Sequence, residues 1–167
     1  ATLSGTGTAP VANVTPASPF NYNSHSINTT TLQTFTVSNS TGTAPLSITS
    51  IVLSGTDATQ FLLTSSSCSL TTTTVATGGS CLFSVSFNPT TTGAKTATVT
   101  VTDNANGIAG STQVVTLNGT ATAAATITFT NGAGTGVWST SGNWDLLRVP
   151  AGDAVVIPTG FNVTFNT

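Results

Sequence analysis

Apolar and polar residues alternate one by one along most of this chain, and a period of two predicts β-strands half buried on one face. The clearest run is Cys81-Leu-Phe-Ser-Val-Ser-Phe87, which sends Cys81, Phe83, Val85 and Phe87 one way and Ser84 and Ser86 toward water. Pro89 and Gly93 mark a turn, and Ala97-Thr-Val-Thr-Val-Thr102 repeats the pattern with Ala97, Val99 and Val101 inward. After the loop Asp103-Asn-Ala-Asn-Gly107, a strand over Gln113–Gly119 closes the unit. Upstream, Phe35 and Val37 lie in one strand, and Leu46 and Ile48 continue the alternation. The phase shifts at Ile51 and Leu53, which predicts a bulge or a strand that changes sheets. Phe61 and Leu63 lead into a Ser-rich loop, and no stretch reads as a helix. Short strands punctuated by Gly, Pro and Asn predict an all-β fold, an antiparallel β-sandwich of immunoglobulin type with a short β-rich C-terminal segment.

A second pattern bears on organisation. Ala1-Thr-Leu-Ser-Gly-Thr-Gly-Thr8 is copied as Val115-Thr-Leu-Asn-Gly-Thr-Ala-Thr122, about one sandwich domain later. The copy divides the chain into a strand at 1–8 like the last strand of a preceding repeat, a sandwich at 9–122, and a β-rich segment at 123–167. The small residues of 120–126 are the expected linker. Segment 123–167 is either the start of a second domain or a source of inter-subunit strands.

Charge narrows the function classes. Charged residues are 4% of the 167, with no Glu, and the formal net charge is −2. With only Lys95 and Arg148 no basic patch exists, which excludes nucleic-acid binding by counterion release. The scattered Asp57, Asp103, Asp145 and Asp153 offer no multi-carboxylate cage. No apolar run approaches the roughly 20 residues of a spanning helix. Thr and Ser, about a third of the chain, supply the polarity. So little charge leaves copies free to associate. The composition suits a durable extracellular or cell-surface material.

Cys68 and Cys81 are the two cysteines, and their spacing permits a local bridge. An exported chain would oxidise them, for a gain of roughly 3 kcal/mol; two buried free thiols are the alternative. They lack the partners of a zinc or haem site, and the chain implies no cofactor.

Several stretches together carry a family likeness. They are Phe35-Thr-Val-Ser-Asn39 with Gly42 and Ala44-Pro-Leu46, Ile51-Val-Leu-Ser-Gly55, Cys68, Gly79-Ser-Cys81, Val85-Ser-Phe-Asn-Pro89, Gly93 and Val115-Thr-Leu-Asn-Gly119. In these, residues 9–122 resemble immunoglobulin-like domains of the ASPM/SPD-2/hydin type, also seen as repeats in secreted bacterial proteins. The resemblance implies exported, tandem, non-catalytic spacers with the paired cysteines bridged, and it brings no catalytic residue. Gly136-Val-Trp-Ser-Thr-Ser-Gly-Asn-Trp144 with Val149-Pro-Ala-Gly-Asp-Ala-Val-Val-Ile157 resembles an opening motif of bacterial surface proteins, where β-rich and often β-helical regions begin.

Candidate chemistry is sparse. His25, the single histidine, has no GxSxG elbow to serve and reads as a loop residue without a chemical role. Trp138 and Trp144, with Phe161 or Tyr22, are candidates for stacking on sugar rings, against the alternative that the tryptophans pack a domain core. Lys95 as a partner in an isopeptide bond lacks a nearby acid other than Asp103, and a solvent-exposed charge at a strand start is the default. Asp57 and Asp103 are expected to cap turns. Five Asn-X-Ser/Thr sequons stand at Asn13, Asn28, Asn39, Asn118 and Asn162. The expected function is a non-catalytic subunit or repeat of an extracellular filament, sheath or adhesin stalk. Thr2, Leu3, Ser4, Gly5 and Thr6 are its candidate assembly strand, added to a neighbour's edge. A carbohydrate-binding or spacer module is the alternative.

Overall fold

Twelve short strands answer the alternating pattern in a computed structural model that describes residues 7–151 and 153–164. They are β1 (Asn13–Thr15), β2 (Phe20–Ser26), β3 (Thr31–Ser38), β4 (Leu46–Ile48), β5 (Ser50–Ser54), β6 (Phe61–Ser65), β7 (Thr73–Val75), β8 (Ser80–Phe87), β9 (Gly93–Asp103), β10 (Ser111–Thr122), β11 (Thr126–Thr128) and β12 (Ala154–Val156). Three single 3-10 turns are the helical content of the described residues. One sheet has the order β1-β3-β8-β6 and the other β2-β10-β9-β5, with β4 and β7 paired at the side. The fold is an all-β, immunoglobulin-like sandwich. Within the sandwich one pairing departs from the antiparallel expectation, because β2 runs parallel to β10 and the register slips between Asn118 and Thr120.

Period two does the sorting here. On β8 every odd position from Cys81 to Phe87 is buried, and on β9 every odd position from Lys95 to Asp103. Ser84 and Ser86 face outward yet are only half exposed, since β3 and β6 flank them. The phase shift after Ile48 marks a change of sheet. Leu46–Ile48 pair with β7, and Ser50–Ser54 pair with β9. The core is aromatic at its centre, with Phe35 stacked on Phe83 at 5.3 Å and Phe87 against Phe61 at 4.9 Å. Burial on this scale drives folding at about 25 cal/mol for each Å² of apolar surface removed from water.

The chain enters and leaves this sandwich at opposite poles. Residues 9–11 are tied to the pole holding Asn39 and the 104–110 loop, through Thr43 N–H to the Ala9 carbonyl and Asn106 N–H to the Pro10 carbonyl, both 2.9 Å. Strand β10 begins at that pole, beside Asp103, and its far end lies beside Gly93. At about 3.3 Å per residue that separates the two poles by roughly 35 Å.

Beyond Thr122 only residues 123–125 precede β11, and a second apolar cluster of Ile127, Phe129 and Trp144 follows. Here the chain goes round and returns beside itself. Thr126–Thr128 pair in parallel with Ala154–Val156, 28 positions on, and Val137 bridges in parallel to Thr164, 27 positions on. A nearly constant offset at two places describes one coil that stacks on its own beginning.

Candidate functional site

The chemistry-bearing side chains are mostly spent on holding the fold. Cys68 and Cys81 form the disulfide, with Cα atoms 5.0 Å apart, and both are buried. It ties the loop after β6 to the start of β8. Asn39 is fully buried among four segments. Its Oδ1 accepts from Val11 N–H at 2.9 Å, and its Nδ2 donates to the carbonyls of Ala44 at 2.9 Å and of Val75 and Ala76 at 3.2 Å. The sequon asparagine is thus a structural clamp. Asn143 does the same in the C-terminal coil, with Oδ1 accepting from Ala133 N–H and Nδ2 donating to Thr135 Oγ1 and the Val137 carbonyl. In the sequence Asn39 stands out as a sequon and as the end of the Phe35–Asn39 stretch, and Asn143 only inside the 136–144 motif; neither pattern signals a clamp.

The aromatic candidates face inward. Trp144 is fully buried, its Nε1 donates to the Trp138 carbonyl at 2.9 Å, and Phe129 meets it edge-on at 5.1 Å. No face of its ring is open to a sugar. Trp138 is half buried, edge-on to Trp144 at 4.7 Å. The core-packing alternative describes this pair, because the coil has few other large apolar groups to fill it. Tyr22 is buried too, and its hydroxyl donates to the Val85 carbonyl at 2.7 Å; burial pushes its pKa well above the usual phenol value. Phe161 remains 39% exposed, edge-on to Phe129.

His25 has both ring nitrogens engaged, Nε2 lying 2.8 Å from the Tyr22 carbonyl and Nδ1 3.0 Å from Thr31 Oγ1. Lys95 corrects the expectation of a solvent-exposed strand start. It is 9% exposed, on the inward face with Ala97 and opposite Gly119, and its Nζ donates to the Thr92 carbonyl at 3.0 Å. Asp103, the acid that the isopeptide reading needs, stands at the other end of the same strand. Asp57 accepts from Thr96 N–H at 3.0 Å and Asp103 Oδ1 from Ala105 N–H at 2.8 Å, as turn caps do. Buried Asp103 Oδ2 has no hydrogen-bond partner among the described residues. No three His, Cys, Asp or Glu side chains gather to hold a metal among the described residues. Nor is any helix there long and apolar enough to cross a membrane. At the β2–β10 slip, Asn21, Ala94, Lys95, Thr96, Asn118, Gly119 and Thr120 line an open hollow of about 300 Å³.

Assembly features lie at strand edges. The candidate strand Thr2, Leu3, Ser4, Gly5 and Thr6 falls outside the described residues. The place its copy holds, β10, is filled within the chain by pairing with β9 over Ser111–Ala121 and with β2. Edges remain elsewhere. Strand β1 covers only Thr36–Ser38 of β3. In the coil, Asp145 closes the outer edge of β11, accepting Thr128 N–H on Oδ1 and donating its own N–H to the Thr128 carbonyl. Among the described residues nothing caps β12 in that way, and its Val155 and Val156, with Ile157 after them, are 36–45% exposed.

No protein-family model matches the sequence, nor does any curated protein. Solved structures do resemble the fold. The ASH/PapD-like domain of human CEP192 (PapD-like domain 7) is 13% identical at a TM-score of 0.51, over 75% of this chain and 94% of that one. The secreted serine protease VesC from Vibrio cholerae is 15% identical at 0.52, over 69% of this chain and 24% of that one. The VesB protease of the same organism is 18% identical at 0.51, over 65% and 31%. The chain spans less than a third of either protease. At these identities the likeness is one of fold, a PapD-like or immunoglobulin-like sandwich.

Proposed function

We propose that the chain is a non-catalytic structural link of a linear extracellular array, a filament, sheath or adhesin stalk. The observation that carries the reading is the opposite placement of the chain's entrance and exit on the sandwich, which lets successive links follow one another along a line. The disulfide supports an oxidising compartment. Segment 1–8, the copy of 115–122, then belongs to the closing strand of a preceding link. Donation of that strand to a neighbour's β10 position is disfavoured, because β10 already fills it; edge complementation is left to β3 and to the outer strands β2, β5, β6 and β12. The one-sided coil, closed at Asp145 and open at β12, supports segment 123–167 as the start of a further stacked β region.

Deleting residues 1–8 tests this. A link of a covalent array keeps its melting temperature and its solution state without them. Filaments of the intact protein in electron micrographs that vanish on deletion would instead establish strand donation.

A second reading, a carbohydrate module, now rests on the hollow at the β2–β10 slip. Asn118, Thr96 and Thr120 are among its lining residues, and amide and hydroxyl side chains suit a neutral sugar. Amide shifts of these residues on titration with cellobiose, abolished in Asn118→Ala, would establish it.

A further inference from the structure

The two outer faces of the sandwich are built alike. On one sheet Leu32, Ser86 and Leu62 form a single row across β3, β8 and β6. On the other, Val52, Thr100 and Val114 form a row across β5, β9 and β10. The leucines are each 60% exposed and the valines 51%. Hydroxyl rows adjoin them, Thr34-Ser84-Thr64 on the first face, and Ser54-Thr98-Thr116 and Ser50-Thr102-Thr112 on the second.

No strand of either sheet carries a charge on its outer side. The only charged residues in the strands of these two sheets are Lys95 and Asp103, and both are buried on the inner side. Charged side chains are the usual means by which exposed β surfaces avoid association, and the outer sides of these strands lack them.

We propose that the two faces are complementary and stack sandwiches of separate copies of this chain, the leucine row of one against the valine row of the next. This rests on the reading of the protein as an array component and adds its lateral contact. The geometry is matched, since in each row two aliphatic side chains stand two strand spacings apart, about 9.6 Å, with a small hydroxyl residue between them. Displaced by one strand, a valine sits over Ser86 and a leucine over Thr100. Sheets packed this way lie about 10 Å apart. The contact joins unlike faces, so it does not close on itself and propagates as a stack.

The smaller face, with strands of 3, 8, 8 and 5 residues, is roughly 380 Å², so one contact buries at most about 760 Å² in total, below the size of stable specific interfaces. A single pair is therefore weak, and links held in a row reinforce one another by avidity.

The test uses the full chain and two double variants, Leu32→Lys with Leu62→Lys and Val52→Lys with Val114→Lys. All four sites are exposed, and circular dichroism and melting establish that both variants fold. Sedimentation velocity at several hundred micromolar is expected to show wild type growing through oligomers and each variant alone as monomer. An equal mixture of the two variants is expected to form a one-to-one dimer, because each retains the face that the other lacks. Dimers of one variant alone would mean like faces pair, and monomers throughout would mean the faces do not associate; either overturns the proposal. Both failures leave the linear-array reading standing, since that is decided by the residue 1–8 deletion.

Discussion

Gly119 lies against the ring of Phe87 so closely that a Cβ on it would stand 2.7 Å from Cε1. The glycine is needed because β10 and β8 approach across the core where the Phe87 ring fills the space. Gly119→Ala must push that ring off its position against Phe61 and Tyr22. The expected cost is about 2 kcal/mol, the usual range for overpacking, read as a lower midpoint in urea unfolding. No loss of stability would show that the ring has room to move.

Asn39 is expected to be the most sensitive polar position in the sandwich. Asn39→Ala strands the Val11 amide and leaves a buried cluster of carbonyls without their donor. The expected loss is about 3 kcal/mol, as for removing several buried hydrogen bonds together. Exposed Ser40→Ala is the control, with a change under about 0.5 kcal/mol. Similar small losses for both would show that the clamp is dispensable.

Both tryptophans lie in the C-terminal coil, so their fluorescence reports that coil and far-UV circular dichroism reports mainly the sandwich. Three buried residues make a core too small to match the sandwich's. The fluorescence transition is expected at a lower urea concentration than the dichroism transition. Leu117→Ala should shift the second by 2–5 kcal/mol, as buried leucine truncations do, and leave the first in place. Coincident transitions that move together would mean the two clusters unfold as one unit.

Arg148 grips Asp153 through two hydrogen bonds of 2.6 Å, and the Ala151 N–H adds a third at 2.8 Å. The guanidinium holds the Asp153 carboxyl at about 2, below the usual carboxylate range. A depressed folded value means that the pair's contribution is complete above the ordinary aspartate range and is lost as pH falls through about 2. The Ala151 amide resonance should therefore hold steady from pH 7 to 4 and move only between about pH 3 and 1.5. In Arg148→Gln the same change should come nearer pH 4, the ordinary aspartate value. A titration near pH 4 in the wild type would show that the pair does not form in solution.

Strands β8 and β9 were legible because alternation is local, and Phe83 and Val85 point inward whatever their neighbours are. The change of sheet between Ile48 and Ile51 was legible as a phase shift for the same reason. The parallel run of β2 beside β10 was not, since residues 20–26 carry no trace of a partner almost a hundred positions away. Charge places Lys95 at the surface, while its odd position on β9 turns it inward opposite Gly119. For Trp144 the sequence favoured core packing over sugar stacking, and Phe129 and Ile127 close around it.

From composition and periodicity alone this chain was bound to be a sparsely charged, hydroxyl-rich β-protein, because period-two burial and low charge are properties of single residues and their neighbours in sequence. Which strands meet, and hence which pole the chain enters, which asparagines are clamps, and which edges and faces stay open, came only from the tertiary structure. Those depend on pairings between residues far apart in the chain, and hydrogen-bond satisfaction and close packing choose among them only when the whole core is assembled.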